Sequence, residues 1–101
     1  MCSSDLILEV VSITIHAGQA AEFKAAFGEA SKVISQAKGY ISHEMQRSVD
    51  VEDHYLLFVN WQTRDDHVIG FRESPLFLEW RRLIGPFFAS PPAVEHYELL
   101  V

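Results

Sequence analysis

The chain has 101 residues, a formal net charge of −6 and a pI near 5.2. A chain of this length folds as one domain, residues 1–101, and its acidic balance argues against a nucleic-acid partner, which would need clustered Lys and Arg. Aliphatic, aromatic and sulfur-containing residues make up 49% of the sequence, more than a two-layer domain of this size easily buries, which predicts an oligomer or an apolar ligand cavity.

The N-terminal segment MCSSDLILEVVSITI holds the single cysteine, Cys2. One cysteine excludes an internal disulfide and fits a reducing cytoplasm, where we expect the protein to work. The segment has Asp5 and no basic residue before its apolar part, so it is not predicted to be a signal peptide. It is also too short to cross a membrane, and we expect no membrane partner.

The first half of the chain predicts two strands joined by a helix. Leu6–Ile15 is rich in β-branched residues and apolar on both faces except for Glu9 and Ser12, which predicts a central strand. The helix that follows this strand is expected to end at Gly39. Tyr40–Arg47 has mixed polarity and is predicted to be an edge strand. The helix is predicted from apolar residues at steps of four and three: Phe23, Phe27, Ala30, Ile34 and Ala37.

The loop SVDVED leads into HYLLFVNW, residues 54–61, an antiparallel partner strand that is again apolar on both faces. Thr63 is predicted to cap a helix whose apolar side comes from Val68, Ile69 and Phe71. Ser74 and Pro75 start a second helix, and Gly85–Pro86 ends it. The residues on one face of this second helix are Phe77, Trp80 and Ile84, and the last strand is Val94–Leu100.

The order of these elements predicts the fold. It is an α+β, ferredoxin-like βαββαβ arrangement, with a four-stranded antiparallel sheet and helices on one face. The helices cannot cover the second apolar face of HYLLFVNW. We therefore expect a homodimer in which a second subunit lays its sheet against that face.

The run YLLFVNWQTRDDHVIGFRESPLFLEWRRLIGPFF, taken with the βαββαβ order, resembles the antibiotic biosynthesis monooxygenase family of dimeric α/β barrels. The resemblance rests on a third strand ending in Trp61, a short helix, and the Ser74–Pro75 step with Phe77 two residues later. It implies a dimeric α/β barrel with a pocket between sheet and helices. For enzymatic members it implies oxygenation of quinols or polycyclic phenols without metal or flavin, while other relatives degrade haem.

The sequence departs from the family in two places. Many members have a histidine three residues before the Ser of the Ser-Pro step, where this chain has Phe71. The Trp and His of haem-degrading relatives fall on Phe71 and Arg81. This chain instead carries His67, one turn earlier on the same helix.

These features predict a site for a small aromatic or hydrophobic ligand with no cofactor. His67 is the candidate base or hydrogen-bond partner of a phenolic oxygen, and Trp61 is the second candidate catalytic residue. Arg72 is a candidate for neutralising a substrate anion at the pocket mouth, as are Arg81 and Arg82. The full set of candidate ligand-binding residues is Asn60, Phe71, Arg72, Phe77, Trp80, His96 and Tyr97.

Plainer interpretations stay open for each residue. A histidine after two aspartates at the start of a helix is more often a surface residue, and an aromatic stripe normally fills a core. His43, His54 and His96 fall on three strands without metal-binding spacing, so no metal site is predicted. Three functions remain: a cofactor-independent monooxygenase, a non-catalytic barrel that binds a hydrophobic metabolite, and a structural or regulatory dimerisation domain whose pocket is closed.

Overall fold

The computed structural model describes residues 6–100, so Cys2 lies outside the described residues. Four antiparallel strands form one sheet in the order β2-β3-β1-β4. Helices α1 (Ala20–Ile34) and α2 (Pro75–Ile84) pack against each other and cover one face of it. The predicted α+β ferredoxin-like fold is confirmed. The strands are β1 (Ile7–Thr14), β2 (Tyr40–Arg47), β3 (His54–Trp61) and β4 (Ala93–Glu98), so β2 and β3 have the predicted bounds and β1 and β4 are slightly shorter.

The central strands β1 and β3 are apolar on both faces, but only one face is buried. Val11 and Ile13 of β1 and Leu57 and Val59 of β3 are buried under the helices. On the opposite face Phe58 is only partly buried. The sheet of a single chain therefore has one packed face and one apolar face that its own helices do not cover.

The chain leaves α1 and enters β2 through Gly39. The helix ends at Ile34 and is capped by Ser35, so the expectation that Gly39 ends the helix was wrong by several residues. Gly39 has a φ of +84°, which an L-residue rarely adopts. A Cβ atom at this position would also collide with the side chain of Asp66. Gly39 is required by the turn and by this close approach.

The segment between β3 and α2 is helical, with an unexpected geometry. The backbone N–H of Asp66 donates to Thr63 Oγ1 at 3.1 Å, as expected for a cap, but residues Asp66–Phe71 form a π-helix. The N–H of Arg72 accordingly donates to the carbonyl of His67, five residues earlier. The wide turn buries His67 and Phe71 and leaves Ile69 51% exposed, so the expectation that Ile69 belongs to the apolar side was wrong.

Helix α2 begins at the predicted Ser-Pro step. Ser74 is the N-cap residue, but its hydroxyl donates to the carbonyl of Phe71 at 2.7 Å, which fixes α2 to the end of the π-helix. Trp80 and Ile84 point into the core. Neither α2 nor any other helix within residues 6–100 is long and apolar enough to cross a membrane.

Candidate functional site

A cavity of about 890 Å³ lies between the helix-covered face of the sheet and α2. Its floor is formed by apolar side chains of β1 and β3, including Val11 and Leu57. Glu9 and His67 also reach the cavity. Three aromatic residues from the helical segments line it, namely Phe71, Phe77 and Trp80, as do three arginines with exposed side chains, namely Arg72, Arg81 and Arg82.

The register of the sheet brings three side chains of the candidate site together on the helix-covered face. Glu9 of β1 lies directly opposite His96 of β4 and directly opposite Val59 of β3. Trp61 is two residues beyond Val59 and shares its face, so it is a diagonal neighbour of Glu9. Strands far apart in the sequence thus place an indole, a carboxyl and an imidazole side by side.

Glu9 is a buried carboxyl group held by Trp61. The indole Nε1–H donates to Glu9 Oε1 at 2.9 Å, and both residues are almost fully removed from solvent. Burial raises the pKa of Glu9 from 4.5 to about 7, although the Trp61 hydrogen bond and the charge of Arg72 act in the opposite direction. Near neutral pH the carboxyl and carboxylate forms are therefore both populated.

His67 lies above this pair on the π-helix. Its Nε2 is 3.3 Å from Glu9 Oε2, and its ring stacks on Trp61 with the ring centroids 5.2 Å apart. Burial, together with the charges of His96, Arg72 and Arg64, lowers the pKa of His67 to about 4. The imidazole is therefore neutral near pH 7, and its contact with Glu9 is not an ion pair.

His96 continues the contacts toward the edge of the sheet. Its Nε2 is hydrogen-bonded to Nδ1 of His67 at 2.8 Å. His96 is partly buried, whereas Glu9 and His67 are 5% and 4% exposed. Trp61, Glu9, His67 and His96 form a continuous chain of contacts from the core to the outermost strand.

Most of the predicted site residues lie on this side of the sheet. His67, Phe71, Arg72, Phe77 and Trp80 line the cavity, and His96 contacts it through His67. Trp61 is packed behind Glu9 and is not on the cavity wall. Its contact with any ligand is therefore indirect.

Two predicted ligand-binding residues lie outside the cavity, so those two assignments need correction. Asn60 lies on the same face of the sheet as Phe58, opposite to the face of Trp61. Its amide donates to Ser42 Oγ at 3.1 Å on that face. Tyr97 is 49% exposed and donates to Glu95 at 2.8 Å, also on that face. Neither side chain can contact a ligand between sheet and helices of its own chain.

Glu9 belongs to the candidate site but is not among the residues predicted for it from the sequence. In the sequence it is only a polar exception in an apolar strand. The available signal was its alternation with Val11 and Ile13, which places a carboxyl group on the buried face. Its partners, Trp61 and His67, lie more than 50 residues away in the sequence, so no local motif shows the cluster.

Within residues 6–100, no group of three or more His, Cys, Asp and Glu side chains is arranged to hold a metal ion. His96 of β4 approaches a second imidazole, that of His67.

Comparison with known proteins identifies the family. The family model of the antibiotic biosynthesis monooxygenases matches residues 6–83. The chain belongs to the antibiotic biosynthesis monooxygenase family. The resemblance seen in the Trp61 to Ser-Pro region is thereby confirmed.

Similar proteins cover almost the whole chain. The uncharacterised protein YczJ of Bacillus subtilis (strain 168) is 38% identical over 93 residues, which are 92% of this chain and 98% of YczJ. A Bordetella bronchiseptica protein assigned to the antibiotic biosynthesis monooxygenases superimposes with a TM-score of 0.92 at 36% identity, covering 96% and 99% of the two chains. SnoaB, a cofactor-independent oxygenase from Streptomyces nogalater, has the same fold at 19% identity, with a TM-score of 0.79 and coverage of 94% and 93%.

Proposed function

We propose that this protein is a cofactor-independent monooxygenase that oxidises a hydroxylated aromatic compound in the cavity between sheet and helices. The observation that carries the proposal is Glu9, a buried carboxyl group on the wall of a cavity lined by aromatic residues. Membership of the antibiotic biosynthesis monooxygenase family supports it. So does the structural similarity to SnoaB, which is a cofactor-independent oxygenase.

The electron balance limits the class of substrate. Oxidation of a phenolic ring carbon from C–H to a quinone carbonyl releases four electrons, and O₂ takes up four when it becomes one carbonyl oxygen and one water. A phenol, naphthol, quinol or anthrone therefore reacts without an external reductant. A reaction that stops at hydroxylation, converting C–H to C–OH, releases only two electrons and would need an external reductant, so a compound that can react only in this way would not be a substrate.

In the proposed reaction Glu9 removes the first proton. The carboxylate accepts the proton of the substrate hydroxyl, and the resulting phenolate donates one electron to O₂. Superoxide and the phenoxyl radical, whose unpaired electron is delocalised over the ring, then combine to form a C–O bond at a ring carbon. The O–O bond breaks as the ring carbon loses its proton, water leaves, and the carbonyl remains. A pKa of about 7 lets Glu9 act as base in the first step and as acid in the last.

The surrounding residues have separate roles in this proposal. Phe71, Phe77 and Trp80 hold the aromatic rings of the substrate and exclude water. Arg72 supplies a positive charge near Glu9 and the cavity, which favours the phenolate. Trp61 positions the Glu9 carboxyl through its hydrogen bond.

Oxygen uptake tests the proposal. Protein dialysed against a chelator is mixed with a panel of anthrones, hydroxynaphthalenes and quinols, and uptake is compared with the spontaneous rate. We expect catalysed uptake that falls on the order of 100-fold or more in Glu9→Gln. Glu22→Gln, which removes an exposed carboxylate of α1, is the matched control.

The other outcomes separate the alternative functions. Saturable quenching of tryptophan fluorescence without oxygen uptake would favour the non-catalytic binding barrel. The closed-pocket dimerisation domain is disfavoured, because the structure contains an open cavity of about 890 Å³.

We also propose that the protein is a homodimer. The sheet face opposite the helices carries apolar residues from both central strands, and these are only partly buried in the single chain: Leu8, Val10, Leu56 and Phe58. A second copy of the same face is a self-complementary partner. Sedimentation at micromolar concentration tests this pairing, and a monomer would contradict it.

A further inference from the structure

We infer that Glu9, His67 and His96 form a proton relay that connects the cavity to solvent at the edge strand β4. The relay deepens the proposed function, on which its role in turnover rests. Its three members are in sequence: Glu9 Oε2 lies 3.3 Å from His67 Nε2, and His67 Nδ1 lies 2.8 Å from His96 Nε2.

Trp61 gives the relay its orientation. The indole N–H can only donate, so it holds Glu9 Oε1 as an acceptor. The other oxygen, Oε2, faces His67. The 3.3 Å separation is slightly longer than an ordinary hydrogen bond, and such contacts commonly tighten when substrate binds. A proton arriving at or leaving Glu9 can therefore pass to the imidazole without displacing the indole.

Two hydrogen-bond arrangements satisfy all three members. With Glu9 ionised, His67 Nε2–H donates to Oε2, and His96 Nε2–H donates to His67 Nδ1. With Glu9 protonated, Oε2–H donates to His67 Nε2, His67 Nδ1–H donates to His96 Nε2, and His96 carries its proton on Nδ1. The second arrangement contains one proton more than the first, and both imidazoles are neutral in each. Switching between them takes one proton from solvent at His96 Nδ1 and delivers one to Glu9, or the reverse.

The charges around the relay favour these neutral imidazoles. Burial lowers the pKa of both His67 and His96, and the charges of Arg64 and Arg72 act in the same direction. The charge of His96 further lowers the pKa of His67. The neighbours of His96 on β4, Glu95 and Tyr97, pair with each other on the opposite face of the sheet. The groups facing the relay are thus the two arginines, Trp61 and the three members themselves.

The relay provides a route for protons to Glu9 when substrate covers this carboxyl group in the cavity. Glu9 is 5% exposed and lines the cavity, so an aromatic substrate in the cavity covers its remaining surface. His96 is only partly buried on the outermost strand, where it can exchange protons with water. The relay lets the protonation of Glu9 reach equilibrium with solvent while the cavity is occupied.

Histidine tautomers measured by NMR test the relay without any turnover. In protein labelled with ¹⁵N at histidine, the ring shifts report which nitrogen of His67 carries the proton between pH 5 and 9. We expect His67 to stay neutral and to change from the Nδ1–H to the Nε2–H tautomer as Glu9 ionises, and we expect this change to disappear in Glu9→Gln. A single His67 tautomer across this range in the wild type would overturn the relay.

Oxygen uptake tests the role of the relay in turnover. We expect His96→Ala to lower uptake on the order of tenfold and added imidazole to restore it. His16→Ala, at an exposed residue outside the helices and strands, should leave the rate of uptake unchanged. Uptake by His96→Ala at the wild-type rate would overturn this role. If the wild type itself shows no uptake, the proposed function fails, and the tautomer measurement still decides whether the relay exists.

Discussion

Replacing Glu9 with Gln should change how the stability of the protein depends on pH. The folded pKa of Glu9 is raised from 4.5 to about 7, so between these values the folded state binds a proton that the unfolded state has lost. The stabilisation from this group is complete below pH 4.5 and is lost as pH rises toward 7. Each pH unit in this window is worth about 1.4 kcal/mol. The difference in unfolding free energy, Glu9→Gln minus wild type, should therefore increase by about 3 kcal/mol between pH 4.5 and pH 7.

His67 should hide this effect in the wild type. Its folded pKa is lowered from 6.5 to about 4, so its stabilisation is complete above pH 6.5 and is lost as pH falls toward 4. Between pH 4.5 and 6.5 the slopes of His67 and Glu9 have opposite signs and similar size. The contribution of the pair should be nearly flat in the wild type, and Glu9→Gln should reveal the rising slope of His67.

Urea unfolding followed by circular dichroism at half-unit pH steps measures both slopes. All samples need the same protein concentration, because any dimer adds a concentration-dependent term to the unfolding free energy. Glu22→Gln on the exposed surface of α1 is the control for loss of a carboxylate. If the curves of Glu9→Gln and the wild type run parallel from pH 4.5 to 7, Glu9 is not a buried carboxyl group with a raised pKa.

Two further substitutions test the turn and the dimer face. Gly39→Ala should lower the free energy of unfolding by at least about 2 kcal/mol, because it forces an L-residue to positive φ against Asp66. The control Gly28→Ala, in the open interior of α1, should raise that free energy by about 0.5–1 kcal/mol. Equal effects of the two substitutions in urea unfolding would contradict the structure. Phe58→Glu should convert the proposed dimer to a monomer in sedimentation, because it would bury an unpaired charge in the interface. The control Gln36→Glu lies away from that face and should leave the dimer intact. A dimer that persists in Phe58→Glu would place the interface elsewhere.

Local patterns in the sequence were sufficient to predict the fold. The short run of apolar residues at 54–61 and the turn residues before it predict β3 with its observed bounds. The Ser74–Pro75 step likewise marks the start of α2, because both residues act within one helical turn. The alternation of side chains along the strand also predicts the observed face of Asn60, which is that of Phe58 and not that of Trp61.

The site was less predictable because its contacts are long-range. His67 is predicted from the sequence, but its burial depends on the π-helical turn, for which the sequence has no recognised signal. Glu9 depends on the register between β1, β3 and β4, which places it beside Trp61 and His96. A single sequence predicts that strands pair, but a shift of one residue would move every one of these side chains to the other face.

The π-helix makes chain length itself a determinant of this site. A π-turn contains one residue more than an α-turn, so deleting a single residue within Asp66–Phe71 would restore ordinary helical spacing and rotate the flanking side chains by about 100° relative to each other. His67 or Phe71 would then leave the cavity while the strands and α2 kept their places. One inserted or deleted residue here can thus exchange the polar group that faces a ligand without any change in the rest of the fold.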